Sequence, residues 1–204
     1  LCSERVFVAA NSVMPPPDFE FPIRPAQFSG QPTVLFVGRL QARKRIEILL
    51  TACAALPENL QPRLIIVGDG PARDEFESQA ARIYPHAEFT GARHGAELEP
   101  YFRQADLFAL PGTGGLAVQQ AMSYGLPVIV AKGDGTQDDL VRPASGWQVA
   151  PGDQAAFNAA VLEALGDINR LRKMGAESFR IARDEINLEQ MVATFVDALN
   201  AIRK

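Results

Sequence analysis

Thr33-Val34-Leu35-Phe36-Val37-Gly38-Arg39 is the stretch on which the fold turns. Thr33–Val37 is continuously apolar after its first residue, as a strand buried on both faces must be, and it ends at glycine. The same figure recurs downstream. Arg63–Val67 runs into Gly68-Asp69-Gly70, Ala87–Thr90 into Gly91, and Asp106–Leu110 into Pro111-Gly112, while Pro127–Ala131 and Gly146–Ala150 supply two more strands. Between them the apolar spacing becomes helical. The pattern predicts helices over Lys44–Ala55, after Pro71, over Ala96–Gln104, over Gly115–Tyr124 with Gly125 and Pro127 as its stop, over Gln154–Leu165 and over Asn187–Ile202. Doubly buried strands alternating with helices predict a doubly wound parallel α/β sheet, Rossmann-like, in three α/β/α layers.

Upstream of that stretch the character changes. Pro15-Pro16-Pro17, Pro22, Pro25 and Pro32 make residues 1–32 an extended, linker-like lead-in in which Val6–Ala10 is the one strand candidate. Residues 33–204 form the compact domain, and 204 residues suit one domain with a full core. The chain opens at Leu1 rather than Met, which suggests a piece of a longer protein.

Composition removes several classes of function. A net charge of −4 argues against broad phosphate neutralisation along a nucleic acid. The apolar runs are too short to span a bilayer. Cys2 and Cys53 stand at no metal spacing and read as free thiols, which fits a reducing cytosol. His86 and His94 lack a second His or Cys at ligand distance, so they read as loop residues and no metal site is expected.

In a doubly wound sheet, ligands lie off the carboxyl ends of the strands. That rule selects Gly38-Arg39, Gly68-Asp69-Gly70, Gly91-Ala92-Arg93, Gly112-Thr113-Gly114-Gly115 and Gly133-Asp134-Gly135-Thr136. Gly114-Gly115 opens directly into the helix that begins near Leu116, where unpaired backbone N–H groups form an anion site. Arg39 and Lys44, five positions apart across one loop, can both face a diphosphate. The glycine loop is neither a dinucleotide fingerprint nor a Walker loop, because it lacks the spacing of the first and the Gly-Lys-Ser/Thr of the second.

Val37-Gly38-Arg39-Leu40 with Lys44, Val67-Gly68-Asp69-Gly70-Pro71, Phe89-Thr90-Gly91, Ala105–Pro111, Gln120-Ala121-Met122, Gly125–Ile129 and Val149–Asp153 occur in an order that resembles glycosyltransferase family 4. Ala10-Asn11-Ser12-Val13 is similar to its interdomain segment, so the resemblance covers most of residues 6–153. It implies the C-terminal, donor-binding half of a two-domain retaining GT-B enzyme, acting in polysaccharide or glycoconjugate assembly. A nucleotide-diphospho-sugar would be the donor substrate, with no separate cofactor. The resemblance assigns Arg39, Lys44, Gly114, Gly115 and Leu116 to the diphosphate, and Ala92, Arg93 and Gln120 to base and ribose.

Catalytic residues and acceptor contacts would come from the chain's own N-terminal half, leaving this half alone able to bind nucleotide and to catalyse little. The setting would be cytoplasmic, at the inner face of a membrane where that half makes peripheral contact. Three positions depart from the pattern. Gly112 and Gln120 stand where the family carries two glutamates eight apart, and Arg45 replaces a glycine. Asp134, in the next strand-to-helix loop, is the substitute expected to touch a donor hydroxyl. The departures leave room for another class, a non-catalytic subunit that keeps nucleotide binding. A related epimerase or a dinucleotide enzyme is the third option.

Overall fold

The computed structural model describes residues 7–12, 20–28, 30–133 and 135–202, apart from the side chains of Thr136, Asp139 and Ile202. Among these residues six strands form one sheet: β1 (Thr33–Val37), β2 (Arg63–Val67), β3 (Glu88–Phe89), β4 (Leu107–Leu110), β5 (Val128–Ala131) and β6 (Gly146–Val149). Their spatial order is β3-β2-β1-β4-β5-β6, and every pairing is parallel. The order reverses between β1 and β4, which opens a crevice at their carboxyl ends. Val34–Phe36, Leu64–Ile66, Leu107–Ala109 and Val128–Val130 are wholly buried, the expected result for central strands covered on both faces.

Among the described residues there are eight α-helices: α1 (Ile46–Ala54), α2 (Arg73–Ile83), α3 (Glu99–Gln104), α4 (Leu116–Ser123), α5 (Thr136–Leu140), α6 (Gln154–Gly166), α7 (Ile168–Asp184) and α8 (Leu188–Ile202). The three-layer α/β/α architecture is therefore the one that the pattern predicts. No helix among the described residues is long and apolar enough to cross a membrane.

Four details differ from expectation. Lys44 does not open α1. It closes a 3-10 turn, Ala42–Lys44, and Arg45 then breaks the chain with φ 54°, the one positive φ of a non-glycine residue among those described. The helix expected from Ala96 is a 3-10 turn, Gly95–Leu98, followed by α3. Phe7–Ala10 lies in no strand, and Val6 falls outside the described residues.

The fourth is α7, which is absent from the predicted helices although Leu171, Met174, Phe179 and Ala182 recur at helical spacing. Its buried stripe includes Gly175, a poor helix residue in isolation. Packing explains the glycine: a Cβ there would lie 2.3 Å from the Gly125 carbonyl oxygen, so only glycine lets α7 approach the end of α4 this closely.

Part of the lead-in is packed onto the domain. The Arg24 guanidinium donates to the carbonyls of Phe102 (3.1 Å), Arg103 (3.3 Å) and Ala105 at the end of α3, and to that of Tyr124 (3.0 Å) at the end of α4. Phe21 meets Phe179 edge-on at 5.3 Å. Ser12 is fully buried, and its Oγ accepts from the Gln119 Nε2 at 2.6 Å. These are contacts that proline content alone could not foretell.

Candidate functional site

At the carboxyl ends of β1, β2 and β3 the chain leaves a cavity of about 540 Å³, bounded by Gly38 and Arg39, by Gly68-Asp69-Gly70, and by Ala92-Arg93-His94. Backbone bonds hold the three exits together. Gly38 N–H donates to Val67 O (3.0 Å), Leu40 N–H to Asp69 O (2.8 Å), and Gly68 N–H to Gly91 O (2.9 Å). The structure thus places Arg39, Ala92 and Arg93 on one wall system. It adds His94, which the sequence offered only as a loop residue, and Asp69.

Arg39 is exposed and meets no carboxylate among the described residues, and Arg93 donates to the carbonyl of neighbouring Ala92. Asp69 is the carboxylate of the described wall, and it already faces Arg73 at 3.4 Å. The cavity therefore carries uncompensated positive charge, which suits an anionic ligand.

Lys44 joins this cavity to the glycine loop. Its Cε passes 3.8 Å from the position a Cβ on Gly38 would take, and its Nζ lies 2.7 Å from the corresponding position on Gly114. The ammonium donates to the Thr113 carbonyl at 2.5 Å, and Arg43 Nη1 donates to the Thr113 hydroxyl at 3.2 Å. Burial, and then the charge of Arg43, hold the Lys44 pKa below the ordinary lysine value. An anion beside it would reverse that penalty.

The loop itself is shaped by contact. A Cβ on Gly112 would lie 2.1 Å from the Arg43 carbonyl oxygen and 2.6 Å from the Lys44 Cα. The β1–α1 loop thus occupies the space that any side chain at this position, where the resemblance leads one to expect a glutamate, would need. From the other side, fully buried Gln137 donates through Nε2 to the Gly114 carbonyl at 2.5 Å. Sequence reasoning missed Gln137, since no periodicity marks a polar side chain that reaches back to a distant loop.

Gly115 caps α4 without a side-chain hydrogen bond, and the first helical bond runs from Gln119 N–H to Gly115 O at 3.1 Å. The N–H groups of Leu116, Ala117 and Val118 precede it and lack helical acceptors, as at every helix start. They bring the positive end of the α4 dipole to the glycine turn. Gln120 is half-buried one turn further along α4 and does not line the cavity. Asp134 lies outside the described residues. Asp138, exposed on α5, is described.

The arrangement invites comparison with known proteins. The family model for Glycosyl transferases group 1 matches residues 19–180. The chain is 34% identical over 166 residues to a GDP-mannose-dependent alpha-mannosyltransferase of Mycolicibacterium smegmatis, covering 77% of this chain and 42% of that protein. It is 35% identical over 129 residues to a sulfoquinovosyl transferase of Arabidopsis thaliana, covering 60% of this chain and 24% of that one. Among solved structures it resembles sucrose-phosphate synthase from Thermosynechococcus elongatus, with a TM-score of 0.74, 27% identity, and coverage of 88% and 46%. Anabaena HepE in complex with UDP shares the fold at 22% identity, with a TM-score of 0.74 over 85% of this chain and 50% of that one. The chain thus spans half or less of each of these proteins' length.

Proposed function

The chain belongs to the glycosyl transferases group 1, and on that footing we propose that it is the donor half of a retaining glycosyltransferase, binding a nucleotide-diphospho-sugar at the β1–β3 crevice. What supports this reading is Arg39 on the wall of the crevice, with Lys44 running from Gly38 to the Gly114 turn that opens α4. The nucleoside would occupy the cavity beside Ala92, Arg93 and His94, with its ribose toward Gln120. The diphosphate would lie across Lys44 and the Gly114-Gly115-Leu116 turn. Asp134 would face the transferred sugar.

Transfer to an acceptor hydroxyl develops negative charge on the departing diphosphate. Fixed cations and backbone N–H groups placed there lower the barrier without reorganising. Arg39 and Lys44 supply that charge, so the proposal needs neither metal nor cofactor. Acceptor binding and catalytic residues fall to an N-terminal half, working in the cytoplasm and touching the inner face of a membrane. The mannosyltransferase relative is named for GDP-mannose and the HepE structure holds UDP, so both bases enter the test.

A second reading, a non-catalytic partner that keeps nucleotide binding, is favoured by the filled space at Gly112. Assay of the chain joined to its N-terminal half against UDP- and GDP-sugars separates the two. Donor-dependent release of nucleoside diphosphate with glycosylated acceptor supports the enzyme. Binding without turnover across the panel supports the partner.

A further inference from the structure

The opposite end of the sheet holds a second cavity, of about 660 Å³, where the chain enters β1, β2 and β4. Five-residue strands place it roughly 15 Å from the donor crevice. Arg24, Arg63, Arg103 and Arg172 all reach its wall, and Asp106 is the one carboxylate there among the described residues. Asp106 is already engaged on both oxygens, by Arg172 Nη2 at 2.7 Å and by Thr33 N–H at 2.9 Å. Arg63 has Glu88 at 2.6 Å and Arg103 has Glu99 at 2.6 Å, each outside the cavity.

Among the described residues, no carboxylate is hydrogen-bonded to Arg24. Backbone carbonyls take its terminal N–H groups, while its Nε is buried without a partner, as is Arg172 Nη1. Carbonyls carry partial charges only, so the half-buried positive charge of Arg24 is offset only by the nearby Asp106, whose oxygens are already taken by Arg172 and Thr33. Burial, then the neighbouring charge of Arg172, lower the Arg24 pKa to about 10 against the opposing pull of Asp106. Buried cations are ordinarily matched by an anion.

We propose that this cavity binds the dianionic phosphate of a phosphate monoester between Arg24, Arg63, Arg103 and Arg172, independently of the donor crevice. Arg63 has the exposed guanidinium suited to reach it, with three of its five N–H groups engaged by described residues. The volume exceeds that of a bare phosphate, and the Gln104 amide on the same wall suits a hydroxylated body. A phosphorylated sugar meets both demands. Because Pro22–Pro25 of the lead-in form part of the wall, occupancy would also fasten the lead-in to the domain.

The test follows backbone amide shifts of the 204-residue chain during titration with inorganic phosphate and, separately, glucose 6-phosphate. Saturable shifts at Thr33, Arg63 and Gln104 are expected, weakened about ten-fold or more in Arg24→Gln and in Arg63→Gln, and unchanged in Arg39→Ala. Tighter binding of glucose 6-phosphate identifies the sugar ester as the ligand, and equal binding identifies the phosphate alone. Arg63 is exposed, so its variant keeps the test open if Arg24→Gln fails to fold. The proposal is overturned if shifts are confined to Gly38, Gly68 and Gly91, if none saturates, or if Arg63→Gln binds as tightly as the parent.

Discussion

A side chain placed at Gly112 should damage the domain. A Cβ there would stand 2.1 Å from the Arg43 carbonyl oxygen and 2.6 to 2.7 Å from Lys44 backbone atoms. Ordinary contact needs roughly 1 Å more, and both neighbours are main chain, so no flexible side-chain end can give way. Overpacking of this kind costs typically 1–3 kcal/mol, and a clash with two backbone segments belongs at the upper end, about 3 kcal/mol for Gly112→Ala. A domain of this length shifts by roughly 2–4 °C per kcal/mol, so the melting temperature should fall by about 6–12 °C.

Gly112→Glu, the residue the family resemblance leads one to restore, should do no better. It should also weaken nucleoside diphosphate binding, because the loop carrying Lys44 must move away from Gly114. Thermal unfolding and titration of both variants give the answer. A Gly112→Ala variant melting within about 1 °C of the parent would refute the claim that the β1–α1 loop excludes a side chain.

Gln120→Glu should leave nucleotide affinity equal or raise it by up to about ten-fold, since a carboxylate accepts from both ribose hydroxyls. The gain should disappear with a 2′-deoxynucleotide, and abolished binding would sink the ribose assignment. Arg45→Gly relieves a left-handed residue at about 1–2 kcal/mol, against an exposed Arg45–Glu47 pair and the added freedom of the unfolded chain. Chemical denaturation should show equal or greater stability, by up to about 1 kcal/mol; a loss larger than that contradicts the strain argument. Burial raises the Cys53 thiol pKa to about 12, above its unfolded value of roughly 8.5. Its contribution is therefore full below the unfolded value and is lost as pH climbs toward 12. Comparison with Cys53→Ala should show the parent losing stability more steeply over that range; parallel curves would count against it.

The sheet was legible because its signal is local and repeated: an apolar run that ends in glycine needs no tertiary information to be seen as a buried parallel strand. Arg39, Ala92 and Arg93 were legible for the same reason, as residues that follow such strands and must gather at one edge. Contacts made at long range were not. Gln137 bonds Gly114 across 23 positions, and Ser12 meets Gln119 across 107. Gly112 in place of the glutamate that the resemblance leads one to expect could be noticed in the sequence, but the closeness of the Arg43–Lys44 backbone to it is seen only in the packed structure. The stripe of α7 (Leu171, Met174, Phe179, Ala182) is present in the sequence; what only packing shows is that Gly175 serves proximity to Gly125, against its own helix propensity.

The central claim is that the β1–β3 crevice binds a nucleoside diphosphate through Arg39 and Lys44, and calorimetric titration of the 204-residue chain with UDP, GDP and ADP tests it most directly. At least one should bind with one-to-one stoichiometry. Arg39→Ala and Lys44→Ala should each weaken that binding by more than about ten-fold while the domain stays folded, because each removes a charge-assisted contact worth about 1.5–3 kcal/mol. Absence of binding to all three, or unchanged affinity in both variants, would contradict the account.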